Sequence, residues 1–144
     1  MPPTGVAIAV LPPSADRETI GPMASYEDKV TVLIVDDHPS FRAVAQIVLE
    51  TDGFLVIGTA SDGESGVAAT LELAPDVLLL DVELPDIDGF EVAERLRKAG
   101  SLTAIVLASS RDSSDFGSLV TESGARGFLT KADLTGRALA ELVG

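Results

Sequence analysis

Five short apolar runs punctuate the chain from residue 30 onward. They are Val30–Val35, Phe54–Ile57, Val77–Leu80, Ala104–Ala108 and Gly127–Leu129. None shows the apolar–polar alternation of a strand with one wet face. Short continuous runs suit strands buried on both sides, and therefore a parallel sheet. Helical periods lie between them. Phe41, Val44, Ala45, Val48 and Leu49 fall at i, i+3, i+4, i+7 and i+8, and Pro39 suits a first helical turn. Further helices are expected near 63–73, 89–99, 112–123 and 134–143. Gly53, Gly100 and Gly124 follow three of the helices as stop signals. Five strands alternating with five helices predict an α/β three-layer sandwich with right-handed crossovers. Periodicity leaves the strand order open.

Residues 1–28 follow another pattern. They hold five of the eight prolines and no sustained period, so they read as a disordered or loosely attached leader, with residues 29–144 as the single domain. Met23 stands near the start of the ordered pattern and is an alternative start. The apolar run Val6–Leu11 is too short to span a membrane, and no basic residue precedes it, as a secretory signal requires. A cytoplasmic protein is expected.

Composition narrows the function. The chain is 144 residues long and 46% hydrophobic, enough for one packed core. With aromatics at 4% and no Trp, aliphatic side chains must build that core. The net charge of −13 argues against direct nucleic-acid binding and against docking on anionic lipid, since both need clustered Lys and Arg. The absence of cysteine excludes disulfides, thiolate metal sites and cysteine nucleophiles.

Polar residues collect just after the predicted strands. Asp36 and Asp37 follow strand 1, Asp81 follows strand 3, Ser109 follows strand 4 and Lys131 follows strand 5. In an open parallel sheet those strand ends share one edge, where ligands bind. Three carboxylates gathered there repel one another unless a cation or a proton intervenes. A hard divalent cation such as Mg²⁺ fits oxygen ligands beside phosphate, Lys131 adds a second positive charge, and Ser109 adds a small donor. An Asp nucleophile with these neighbours makes a site for forming an aspartyl phosphate, a reaction that asks mainly for positioning and charge neutralisation.

Four segments then resemble a known family: Val32–His38, Leu78–Gly89, Leu107–Ser109 and Gly127–Lys131. In this order and spacing the chain is similar to the receiver domains of bacterial two-component response regulators over about residues 30–143. Gly127–Leu134 looks most like receivers joined to LuxR-type helix-turn-helix domains, although no output domain is expected in this chain, which reaches Gly144 at the end of helix 5. The resemblance implies a flavodoxin-like sheet of order 2-1-3-4-5. It implies that Asp81 is the phosphoacceptor and a Mg²⁺ ligand, that Asp37 binds Mg²⁺ directly and Asp36 through water, and that the backbone carbonyl of Glu83 completes the protein ligands. Ser109 and Lys131 would contact the phosphoryl group, and Phe128 matches an aromatic switch position. The implied partners are a histidine kinase or phosphotransfer protein and a downstream protein target reading the face of helix 4, strand 5 and helix 5, with room for a phosphorylation-dependent dimer. The chain would catalyse only its own phosphorylation and dephosphorylation. The family carries a cis proline after the lysine; Ala132 stands there, so a different backbone is expected.

Simpler readings stand beside these. Asp36 and Asp37 would equally cap helix 1. Ser110 competes with Ser109, Phe128 reads as plain core, and Lys131 as a surface lysine. His38, the only histidine, is assigned to the start of helix 1 rather than to phosphotransfer or metal binding. Asp86, Asp88 and Gly89 resemble a calcium-loop fragment but read better as a turn into helix 3. Glu83 and Arg111 are expected to pair across the site mouth, with a solvated Arg111 as the alternative. A Mg²⁺-dependent phosphohydrolase using Asp81 and Glu83, and a receiver that signals without phosphorylation, are the competing functions.

Overall fold

The computed structural model describes residues 28–144. The leader expected over residues 1–28 thus lies outside the described residues except for its last one. Strands β1 (Thr31–Val35), β2 (Leu55–Ala60), β3 (Val77–Asp81), β4 (Ala104–Ser109) and β5 (Gly127–Thr130) alternate with helices α1 (Pro39–Thr51), α2 (Gly63–Leu73), α3 (Gly89–Lys98), α4 (Leu119–Glu122) and α5 (Gly136–Val143). The strands form one parallel sheet in the order β2-β1-β3-β4-β5. This is the order that the family resemblance implied and periodicity left open.

Unalternating strands find their explanation in two cores. Val32, Ile34, Val77, Leu79, Val106 and Leu129 point to the face covered by Ala45 and Leu49 of α1 and Leu139 of α5. Leu33, Val35, Leu78, Leu80 and Leu107 point to the other face, against Ala69 of α2 and Val92 and Leu96 of α3. Successive residues of one strand serve opposite layers, so every position must be apolar. Side chains on the ends of the helices hold their starts. Asp62 accepts from the Ser65 amide at 2.7 Å, Asp88 from Glu91 at 2.8 Å and Thr135 from Ala138 at 2.9 Å. At α1 the N-cap is His38, with no side-chain cap bond, and Pro39 opens the helix. Neither Asp36 nor Asp37 caps α1.

The predicted helix over 112–123 is not continuous. A 3₁₀ turn covers Ser113–Phe116, Gly117 interrupts it at φ +58°, and α4 is a single turn with no buried residue. Ser113, Ser114 and Ser118 offer the backbone alternative hydrogen bonds, and only Phe116 and Val120 pack against the core from this stretch. β2 runs three residues past its apolar pattern, and its Gly58, Thr59 and Ala60 pair with Leu33, Ile34 and Val35 across a register shift.

Candidate functional site

Strand register brings the polar residues together. β3 ends on Asp81, which pairs with Ala108, and β4 ends on Ser109, which pairs with Thr130. Asp36 follows β1 directly, its amide donating to the carbonyl of Ala60 at 3.0 Å. Asp36, Asp81 and Ser109 are all buried at this edge. Close packing behind the acceptor position depends on Gly89: a Cβ there would lie 2.6 Å from the Asp81 carbonyl oxygen. The turn between them is also fixed from the side. Asp86 accepts from the amides of Gly63 and Glu64 at 2.7 and 2.8 Å, tying the loop after β3 to the start of α2. Although desolvation raises its pKa, those amides together hold the Asp86 carboxyl below its ordinary value. Asp86 and Asp88 are therefore turn and cap residues.

Asp36, Asp37, His38 and Asp81 each present a donor atom within 4.8 Å of the others. Lys131 reaches into this group from the strand 5 edge. Its ammonium stands 2.6 Å from Asp36 Oδ2 and 3.4 Å from Asp81 Oδ2, and 4.7 Å from the centre of the Phe41 ring. Arg42 of α1 donates to the Asp36 carbonyl at 2.6 Å. One lysine does not satisfy three acids. Asp36 Oδ2, Asp37 Oδ1 and Asp81 Oδ2 are buried without an aligned hydrogen-bond donor. Burial, and then the Asp36 carboxylate, push the Asp81 carboxyl up to about 6, against the lowering pull of Lys131 and of the Glu83 amide.

Ser109 Oγ donates to Glu83 Oε1 at 3.3 Å and accepts from the Arg111 amide at 3.0 Å, whereas Ser110 is exposed. The Glu83 amide donates to Asp81 Oδ1 at 3.2 Å. The expected Glu83–Arg111 pair does not form. Arg111 Nε lies 3.5 Å from Asp115 Oδ2 and its guanidinium 5.2 Å from the centre of the Phe116 ring. The local i,i+4 partner wins because the 3₁₀ turn places it on the same side. Phe128 is half-buried and faces Phe116 at 6.0 Å, which meets Phe90 edge-on at 5.7 Å. No peptide bond among the described residues is cis, and Lys131–Asp133 forms a 3₁₀ turn.

The sequence reading gave no role to Phe41 or Arg42. Both read as ordinary members of an amphipathic helix, and only the packing of α1 against β1, β2 and α5 reveals their contacts with Lys131 and Asp36. His38 starts α1 as expected, but its ring also joins the acids. No helix among the described residues is long and apolar enough to cross a membrane.

Comparison with known proteins agrees with this geometry. Residues 32–142 match the model of the response regulator receiver domain. The chain is 34% identical over 115 residues to the response regulator GacA of Pseudomonas viridiflava, covering 79% of this chain and 52% of that protein. It is 33% identical over 108 residues to the nitrate/nitrite response regulator protein NarL of Escherichia coli, covering 74% and 50%. It thus spans about half the length of the curated relatives it matches. Among solved structures, the signal receiver domain of NarL from Mycobacterium tuberculosis superposes with a TM-score of 0.74 at 33% identity, covering 80% of this chain and 96% of that one. The sheet order, the acidic edge and these matches together make the chain a member of the response regulator receiver domain family of two-component systems.

Proposed function

We propose that this receiver is a phosphoacceptor switch that takes a phosphoryl group on Asp81 and passes the signal through the face of α4, β5 and α5. The observation that carries the reading is the convergence of Asp36, Asp37 and Asp81 at one edge, where three of their buried oxygens lack an aligned hydrogen-bond donor and the ammonium of Lys131 stands against Asp36 and Asp81. Those oxygens fit a hard divalent cation. Asp36 (through water), Asp37, Asp81 and the backbone carbonyl of Glu83 would hold Mg²⁺. When bound, it would supply two positive charges beside the transferring phosphoryl group.

The residues of the chain do the rest. The Glu83 amide fixes Asp81 Oδ1, and a carboxylate oxygen of Asp81 attacks phosphorus. The bond from phosphorus to the imidazole nitrogen of a partner's phosphohistidine breaks as the new O–P bond forms, and that nitrogen keeps the electron pair. Lys131 offsets charge on the phosphoryl oxygens, and Ser109 turns its hydroxyl from Glu83 towards one of them. The loop after β4 follows Ser109, and the Phe116–Phe128 contact carries the change towards β5. A histidine kinase or phosphotransfer protein supplies the phosphoryl group, and a downstream protein, or a second copy in a phosphorylation-dependent dimer, reads the altered face in the cytoplasm. A phosphohydrolase that uses the same Asp81 would turn over a small phosphate ester, and the switch reading predicts no such turnover.

Incubation with Mg²⁺ and a small phosphodonor such as phosphoramidate tests the proposal. Intact-mass measurement should find one added phosphate on the wild type and none on Asp81→Asn. Phosphate uptake by Asp81→Asn at the wild-type rate would overturn it.

A further inference from the structure

The acidic edge contains a nitrogen donor that a pure Mg²⁺ site does not need. His38 Nδ1 lies 3.0 Å from Asp36 Oδ1 and 3.0 Å from Asp37 Oδ1, and 3.4 Å from the ammonium of Lys131. The His38 amide already donates to Asp36 Oδ1 at 2.8 Å, so the ring is not required to hold that oxygen. Asp37 Oδ1 is buried and has no aligned donor, although the imidazole nitrogen stands beside it. We infer that His38 is a nitrogen ligand through which the Asp36–Asp37–Asp81 site also takes a first-row transition cation such as Zn²⁺ or Co²⁺, a contact that Mg²⁺ does not use. This inference rests on the proposed metal site and names a second cation class for it.

Three arguments carry it. The first is distance. Two ligand atoms 3.0 Å apart subtend a right angle at a cation about 2.1 Å from each, an ordinary separation for nitrogen and oxygen on a divalent metal. The second is charge. Three carboxylates against one lysine leave two negative charges, which a divalent cation neutralises, and two of those acids, Asp36 and Asp81, are buried and share the single ammonium of Lys131. The third is ligand type. Carboxylates alone suit Mg²⁺, whereas adding imidazole favours Zn²⁺ and its neighbours in the series. Nδ1 is the ring atom that stands 3.0 Å from both carboxylates, so its lone pair is the one a cation held by those acids would take.

Tag-free wild type, His38→Asn and Asp37→Ala are titrated separately with Zn²⁺ and Mg²⁺ by calorimetry, and with Co²⁺ by visible absorption. The side chain of His38 is 61% exposed, so its replacement leaves the core untouched. Wild type should bind Zn²⁺ at least about tenfold tighter than His38→Asn does, since loss of even an outer-shell partner of a metal ligand costs roughly 10–100-fold. Its Co²⁺ spectrum should also change on loss of the nitrogen, while the Mg²⁺ affinity of His38→Asn stays within about twofold. Equal Zn²⁺ affinity and the same Co²⁺ spectrum in wild type and His38→Asn would overturn the inference. If Asp37→Ala then still weakens Mg²⁺ binding, the acidic metal site stands and only the nitrogen ligand falls. If Asp37→Ala changes neither metal, the underlying site reading falls with it.

Discussion

Removing the charge of Asp81 should stabilise the metal-free fold, and by an amount that depends on pH. Asp81 is buried beside Asp36, and its carboxyl is raised from 3.8 to about 6 with the pull of Lys131 already included. A folded-state pKa above the unfolded one means that folding favours the protonated acid. That contribution is complete below about pH 4 and is lost as pH rises through 6. At pH 8 the wild type holds an ionised Asp81 at a cost of about 3 kcal/mol, from a shift of roughly two units. Asp81→Asn keeps the shape and drops the charge. In chelator at pH 8 it should melt roughly 10 °C above wild type, given the size of the domain. At pH 4.5, still a little above the unfolded value, the gap should fall to roughly a third of its size at pH 8. Saturating Mg²⁺ should close the gap at pH 8 by stabilising the wild type, since a ligand at a hundred times its Kd adds about 2.7 kcal/mol. Thermal melts followed by circular dichroism at the two pH values, with EDTA or Mg²⁺, give all four comparisons. An Asp81→Asn variant that melts at or below wild type at pH 8 in EDTA, or a gap that does not shrink at pH 4.5, would refute the electrostatic account.

Other perturbations read the remaining parts of the site. Asp37→Ala should weaken Mg²⁺ binding and slow phosphorylation sharply, and Asp36→Ala should do less; titration of Mg²⁺ against both variants checks the ranking, and equal losses contradict it. Phe41→Leu should slow phosphorylation roughly two- to tenfold, because a cation–π contact at a partly desolvated ammonium contributes about 0.5–1 kcal/mol or somewhat more. If Phe41 acts through Lys131, adding Phe41→Leu to Lys131→Ala should change nothing further. A chain starting near Ser25 should fold and accept phosphate as the full chain does, and a lower melting temperature or lost phosphorylation would show that the leader contributes to the domain.

Much of the fold was legible because a parallel sheet demands apolar residues on both faces of every strand. Val77–Leu80 could be placed without knowing its neighbours, and so could the acid that ends it. What sequence could not supply was the pairing of strands. Asp36, Asp81 and Ser109 meet because β1, β3 and β4 are adjacent, and that order came from resemblance alone. Side-chain partnerships at the surface were harder still. Glu83 and Arg111 have opposite charges and a shared edge, yet Arg111 finds Asp115 four residues away and Glu83 finds Ser109. Long exposed side chains settle on whichever partner costs least entropy, and a local turn decides that. The helix expected over 112–123 failed for a related reason. Its serines and Gly117 weaken the helix, and few of its side chains bury enough to override them.

That broken segment bears on how a switch at Asp81 would work. The stretch from Ser113 to Glu122 has no buried residue in either of its two helical pieces, whereas α1, α2, α3 and α5 each bury at least two. Local opening costs least where fewest apolar contacts are lost. The segment begins four residues after Ser109, and its chief anchor is Phe116, held between Phe90 and Phe128 with Arg111 over its ring. A hydroxyl drawn from Glu83 towards a phosphoryl group pulls on the backbone at Arg111, whose amide donates to Ser109 Oγ. Arg111 is also the residue that covers Phe116. Such a pull would therefore reach the contacts of Phe116 with Phe90 and Phe128 through Arg111 rather than across the core. A fully formed α4 with several buried residues would resist such a pull; a single turn held to the core only by Val120 and by the neighbouring Phe116 would yield to it more readily.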